Sequence, residues 1–170
     1  GAKALLSLQA NSPLLVQGGH GYDDLALGQR HSCGLTGAGD LYCWGDGSNG
    51  VLGSGTSDSD VPLLVPGGST WVDVAAAGGT TCGVRSSGAG YCWGDNWDGE
   101  FGNGTSGGGT SGPTQELILG GHDWATIHGN FDQFCGLSTY GKAYCWGDGT
   151  TVPTEVPGEH FWSDVAIGFT

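Results

Sequence analysis

The stretch His31-Ser32-Cys33-Gly34-Leu35-Thr36-Gly37-Ala38-Gly39-Asp40-Leu41-Tyr42-Cys43-Trp44-Gly45-Asp46 reads as a β-hairpin closed by its own cysteines. Placing Cys33 opposite Cys43 sets Gly34 against Tyr42 and Leu35 against Leu41, and leaves Thr36 to Asp40 as the loop. Directly opposed residues of an antiparallel pair have Cα atoms about 4.5 to 5.5 Å apart, a separation that a disulfide spans. The same ten-residue spacing recurs at Cys82 and Cys92 and at Cys135 and Cys145, and each second cysteine opens the tetrapeptide Cys-Trp-Gly-Asp. Three hairpins in one register predict three disulfides: Cys33 with Cys43, Cys82 with Cys92, and Cys135 with Cys145. Each closes a short loop and adds at most roughly 3 kcal/mol of chain-entropy stabilisation. A zinc site is the rival for these cysteines, and a spacing of ten with no partnered His fits it poorly.

Outward from the hairpins, Trp44, Trp93 and Trp146 recur at intervals of roughly fifty residues, the period of a repeat architecture. A proline leads each unit, at Pro13, Pro62, Pro113 and Pro153, and an extended run ending in Gly follows it. An aromatic residue then opens a strand, at Tyr22, Trp71, Trp124 and Trp162. Trp71-Val72-Asp73-Val74-Ala75-Ala76 and Trp162-Ser163-Asp164-Val165-Ala166-Ile167 nearly repeat one another, and burial of Trp71, Trp124 and Trp162 beside Val74, Ile127 and Val165 is expected. Short strands punctuated by Gly and Pro, without helical periodicity, predict an all-β fold.

The 170 residues include 37 Gly and 6 Pro, a share that would indicate disorder if it had no period. Here the glycines fall at turns, and 7 Trp, 5 Tyr and 5 Phe supply a core. Four basic against 17 acidic residues give a net charge of −13, with no cluster of Lys or Arg, so no nucleic-acid partner is expected and anionic membranes are poor partners. No apolar run approaches the roughly 20 residues of a membrane span. Six cysteines in a turn-rich chain favour an oxidising compartment, and an extracellular, secreted location is expected. Gly1 in place of an initiator Met suggests a processed chain or a piece of a longer one.

His31-Ser32-Cys33-Gly34-Leu35, Gly39-Asp40-Leu41-Tyr42-Cys43-Trp44-Gly45 and Asn49-Gly50-Val51-Leu52-Gly53-Ser54-Gly55-Thr56 together resemble the repeat of the regulator of chromosome condensation family. The second repeat matches through Thr81-Cys82-Gly83-Val84, Tyr91-Cys92-Trp93-Gly94-Asp95-Asn96 and Gly99-Glu100-Phe101-Gly102-Asn103-Gly104-Thr105, and the third through Cys135-Gly136-Leu137 and Tyr144-Cys145-Trp146-Gly147. The cysteine-bearing form is similar to secreted, crinkly-type members. The resemblance implies propeller-like blades, three to three and a half per chain, and a propeller ring takes about four to eight; the chain is not expected to close a ring by itself. The sequence divides into an N-terminal strand segment (1–12), repeat 1 (13–61), repeat 2 (62–112), a shortened repeat 3 (113–152) that lacks the Gly-Leu-Gly-x-Gly-Thr loop, and a partial repeat 4 (153–170).

No residues are assigned to catalysis, and no metal or cofactor site is assigned. The Gly-x-Ser-x-Gly, His-Glu-x-x-His and phosphate-cradling motifs do not occur. Asp46, Asp95 and Asp148 could offer carboxylates to calcium, but an Asp after a Gly ordinarily bonds its own backbone and holds a turn. His20, His31, His122, His128 and His160 look scattered, and only His31 falls on a family position. Trp44, Trp93 and Trp146 read as blade core, whereas Trp97 has no counterpart and is the candidate ligand contact. Asn103-Gly104-Thr105 is an N-glycosylation acceptor, with Asn103 the site, and the Ser and Thr residues of 54–59 and 105–111 are candidates for O-glycans. The expected function is noncatalytic: an extracellular structural or interaction protein that assembles with copies of itself through open terminal strands, Ala4 to Gln9 and Trp162 to Thr170, into a filament or ring. The second reading is a secreted binding module for a glycan or a protein ligand such as an enzyme. The nucleotide-exchange activity that the family name suggests fits neither the cysteines nor the lack of a basic tail.

Overall fold

The computed structural model describes residues 16–68, 71–158 and 160–168. The strands are β1 (Asp24–Leu27), β2 (His31–Leu35), β3 (Leu41–Gly45), β4 (Ser59–Leu64), β5 (Trp71–Ala77), β6 (Thr80–Arg85), β7 (Gly90–Gly94), β8 (Gly112–Leu117), β9 (Trp124–Asn130), β10 (Gln133–Ser138), β11 (Ala143–Gly147) and β12 (Thr150–Glu155). They form three four-stranded antiparallel meanders, ordered β1-β2-β3-β4, β5-β6-β7-β8 and β9-β10-β11-β12. Each sheet is one blade. The central hairpin of each pairs its cysteines directly, Cys33 with Cys43, Cys82 with Cys92 and Cys135 with Cys145, with Gly34 opposite Tyr42 and Leu35 opposite Leu41 in the first. All three pairs are disulfide-bonded, with Cα atoms 4.1, 4.0 and 4.0 Å apart.

The Gly of Cys-Trp-Gly-Asp ends each hairpin for two reasons. Gly45, Gly94 and Gly147 have φ of +113°, +104° and +84°, a region that L side chains rarely adopt. A Cβ on any of them would also stand within 2.5 Å of a backbone oxygen, that of Arg30, Gly79 or Asp132.

The first strands of the three blades contact one another, β1 against β5 and β5 against β9, so the blades fan out as an open arc. Two apolar cores fill the gaps. One joins Leu35, Leu41, Leu52 and the Cys33–Cys43 bridge to Trp71, Val74 and Trp93; the other joins Val84, Phe101, Ile118 and the Cys82–Cys92 bridge to Trp124, Ile127 and Trp146. The recurring tryptophans Trp44, Trp93 and Trp146 are buried, as their repetition predicts.

Blades and sequence repeats are out of phase. Pro62, Pro113 and Pro153 lie inside β4, β8 and β12, the last strand of each blade, so the divisions at 62, 113 and 153 cut a sheet where the blade boundary follows the strand. An edge strand tolerates a missing N–H there. Two expectations about the termini also change. Ala4 to Gln9 lies outside the described residues. Residues 162–168 are not a strand, and Trp162 is 41% exposed, whereas Trp71 and Trp124 are buried. Trp71 packs on Gly83 and Trp93, and Trp124 on Gly136 and Trp146, each within its own blade; the described residues provide no such hairpin for Trp162.

Candidate functional site

Each blade locks onto the next through a loop. After β3 the chain makes a 3-10 turn at Ser48–Gly50, and the Val51 carbonyl that follows accepts the Trp93 indole N–H at 2.9 Å and the Thr81 hydroxyl at 3.0 Å. After β7 the equivalent Glu100 carbonyl accepts the Trp146 indole N–H at 2.8 Å. Because the Thr81 hydroxyl donates to Val51, it accepts from His31, whose Nε2 lies 2.9 Å away. His31 therefore carries a proton on Nε2, and because burial pushes its pKa down to about 4, with Asp46 pulling it the other way, the ring is neutral at pH 7. Its chemistry is spent on the joint between blades.

Beside this joint lies a cleft of about 340 Å³ lined by Arg30, His31, Asp46, Asp95, Phe131 and Asp132, among others. The structure thus brings Asp46 and Asp95 to one place, but both hold turns. Asp46 accepts from the Ser48 N–H at 2.8 Å and from the Ser48 hydroxyl, which lowers its pKa, and Asp95 accepts from the Asn96 N–H and the Ser111 hydroxyl. Asp132 is raised by burial and then by the charges of Asp98, Asp95 and Asp148. Among the described residues no group of three or more His, Cys, Asp or Glu could hold a metal ion.

Trp97 is 61% exposed. Its ring lies over Gly108, where a Cβ would come within 2.5 Å of it. The surrounding loop is wired to buried Asn96, which donates to the Thr105 carbonyl and to the Thr105 and Thr110 hydroxyls and accepts the Phe101 N–H. Asn103 is half-buried, and its carboxamide oxygen accepts the Thr105 N–H at 3.0 Å and the Thr105 hydroxyl at 2.6 Å.

The outer flanks of the arc complete the picture. On blade 1, Leu25 and Leu27 are 56% and 59% exposed, whereas the residues in Leu25's place on blades 2 and 3, Val74 and Ile127, are 6% and 1% exposed. The three buried side-chain polar atoms without a partner, among the described residues, are Tyr22 Oη on the opening residue of blade 1 and Thr126 Oγ1 and His128 Nε2 on the first strand of blade 3.

The model of the regulator of chromosome condensation (RCC1) repeat matches residues 22–51, and a second model of the same repeat matches residues 38–84. Residues 22–84 match RCC1 repeats. Its fold is similar to that of human WBSCR16, at 21% identity and a TM-score of 0.74 over 82% of this chain and 38% of that one. Prp20p from Saccharomyces cerevisiae, described together with its binding to Gsp1p and histones, is similar at 18% identity and a TM-score of 0.68, over 81% of this chain and 39% of that one. The ectodomain of the Physcomitrella patens receptor kinase CR4 is similar at 23% identity and a TM-score of 0.55, over 83% of this chain and 33% of that one. The chain thus spans well under half the length of these structures. No curated protein matches the chain by sequence.

Sequence reading missed the His31–Thr81–Val51 joint and the flank residues Leu25, Leu27, Thr126 and His128. Three of the supposedly scattered histidines, His20, His122 and His160, share one repeat position two residues before the opening aromatic. His20 stacks on Tyr42 at 4.1 Å and His122 on Tyr144 at 3.9 Å, so both serve the blade. Aligning from the aromatic rather than from the cysteine would have found them.

Proposed function

We propose that this chain is a noncatalytic extracellular interaction protein whose blades associate with copies of itself through the open flanks of the arc. The observation that carries this reading is the exposure of Leu25 on blade 1, whose counterparts Val74 and Ile127 lie buried between blades 1 and 2 and between blades 2 and 3, with Leu27 exposed beside it. An apolar sheet face built for burial gains about 25 cal/mol per Å² when another blade covers it. The three disulfides support an oxidising, extracellular setting, and His31, Asp46 and Asp95 in the cleft are engaged in the blade joint and in turns. Sedimentation velocity over a concentration series tests the reading. Assembly without added ligand is expected, and a chain that stays monomeric at the highest concentration overturns it.

A second reading, binding of a glycan or protein ligand by a single copy, is favoured by Trp97. A large exposed aromatic on a loop held by Asn96 presents a preorganised apolar face to a sugar ring or a partner side chain. Saturable binding that Trp97→Ala abolishes, at unchanged oligomeric state, would support it.

A further inference from the structure

The loop that joins β7 to β8 departs from its counterpart on blade 1. It runs over residues 95–111, four residues longer than the loop at 46–58. Asp46-Gly47-Ser48-Asn49-Gly50 becomes Asp95-Asn96-Trp97-Asp98-Gly99, so Asn96 stands in place of Gly47 and Trp97 in place of Ser48. A Cβ on Gly47 would collide with the Ser57 carbonyl, so the shorter loop has no room for a side chain there. The longer loop gives that place to Asn96, which is fully buried and bonds Thr105, Thr110 and Phe101. It also supplies Gly107-Gly108-Gly109, and the Trp97 indole lies on Gly108. A glycine floor, a pinned backbone and an indole left 61% exposed form one device that displays an aromatic face. Blade 2 stands between blades 1 and 3, so the surroundings of this loop are blades already described.

Those surroundings are acidic. The Asp98 carbonyl accepts the Gly149 N–H at 2.8 Å, which sets the Asp148-Gly149 turn of blade 3 against the loop, and the Asp148 N–H in turn bonds the Asp132 carbonyl at 3.0 Å. Burial raises the pKa of Asp132, and the charges of Asp98, Asp95 and Asp148 raise it further. Among the described residues the Lys and Arg side chains are engaged elsewhere: Arg30 with Asp46 at 3.7 Å, Arg85 over the Trp71 ring, and Lys142 with Glu155 at 3.1 Å. Nor do these carboxylates, among the described residues, converge closely enough to hold a metal ion. A cation carried on a flexible chain suits them better, and an indole face is the best aromatic partner for such a cation. A neutral sugar would use the ring and leave the negative charge uncompensated.

We propose that the β7–β8 loop is a docking site for a basic segment of a partner protein, with an arginine or lysine side chain lying on the exposed face of Trp97 beside Asp98 and Asp148. This rests on the single-copy binding reading above and names its ligand class. Trp97 supplies the contact, Asn96 holds the loop in shape before the partner arrives, and the carboxylates of blades 2 and 3 draw the cation in.

Calorimetric titration of the full chain with a synthetic hexa-arginine peptide at physiological salt tests the proposal. Trp97→Ala is expected to weaken binding about fivefold, the scale of a cation–π contact at an exposed site. Trp97→Leu keeps apolar bulk over Gly108 but removes the π face, and should weaken binding as much; it carries the comparison if near-UV circular dichroism shows that Trp97→Ala disturbs the loop. Asp98→Asn should weaken binding, whereas Asp60→Asn, which removes the same charge from β4 of blade 1, should leave it nearly unchanged because salt screens a distant charge. Indifference to the Trp97 substitutions overturns the proposal, as does equal weakening by Asp98→Asn and Asp60→Asn, which would mean that net charge alone attracts the peptide. The same titration with mannopentaose separates the two readings. Sugar binding that needs Trp97, without peptide binding, overturns the basic ligand and spares the single-copy reading; a chain that binds neither overturns both.

Discussion

Acid should weaken the joint between blades 1 and 2 through His31. The ring is buried, neutral, and committed through Nε2 to the Thr81 hydroxyl, while burial sets its pKa at about 4 against an ordinary value of 6.5. Between those values the unfolded chain takes up a proton that the folded chain refuses, so stability is complete above pH 6.5 and falls as the pH falls. The loss amounts to about 2 kcal/mol by pH 5 and about 3 kcal/mol below pH 4. Asp46 and the Arg30 paired with it line the same cleft, and the charge of Asp46 keeps the shift from being larger. Urea unfolding midpoints at pH 7, 5 and 4, compared between the native chain and His31→Gln, isolate this contribution. The subtraction matters because Asp73 and Glu100, raised by burial, shift stability in the opposite direction in acid. The native chain should lose about 2 kcal/mol more than the variant between pH 7 and pH 5. Parallel pH profiles would refute the reasoning.

Trp93→Phe and Trp146→Phe each remove an indole N–H that a loop carbonyl of the preceding blade accepts, so thermal unfolding should show a loss of about 1 to 2 kcal/mol for either. Gly83→Ala should cost more than a surface change, because its Cβ would stand 2.8 Å from the Trp71 ring; a denaturation midpoint within error of the native value would count against the packing described. Trp97→Ala should leave stability within about 0.5 kcal/mol while reducing the acrylamide-quenchable part of the tryptophan fluorescence, with Trp162 accounting for what remains. Asparagine substitution offers a fourth check: expression in a eukaryotic secretory host should give a glycan mass that Asn103→Gln eliminates.

The hairpins were legible because a disulfide register is local. Ten positions between cysteines, a Gly-rich turn and alternating apolar residues determine which atoms oppose one another whatever the rest of the chain does, and the pairing of Gly34 with Tyr42 and Leu35 with Leu41 follows from that alone. Burial of Trp44, Trp93 and Trp146 followed from their period. The phase of the blades did not. Proline looked like a boundary, yet at Pro62, Pro113 and Pro153 it occupies an edge strand, where a missing N–H leaves no ladder bond unmade.

Residues with the same sequence position in successive repeats turned out to have different fates. Trp71 and Trp162 begin nearly identical hexapeptides, and Leu25 and Ile127 stand at one register position, but only Trp71 and Ile127 are covered. Sequence determines the apolar face that each strand presents, since side-chain alternation is a property of the strand itself. Whether that face is buried depends on what stands a blade's width away, and only the tertiary arrangement decides it. The same holds for His31: its neutral state comes from burial between two stacked sheets, and its partner Thr81 stands fifty residues downstream.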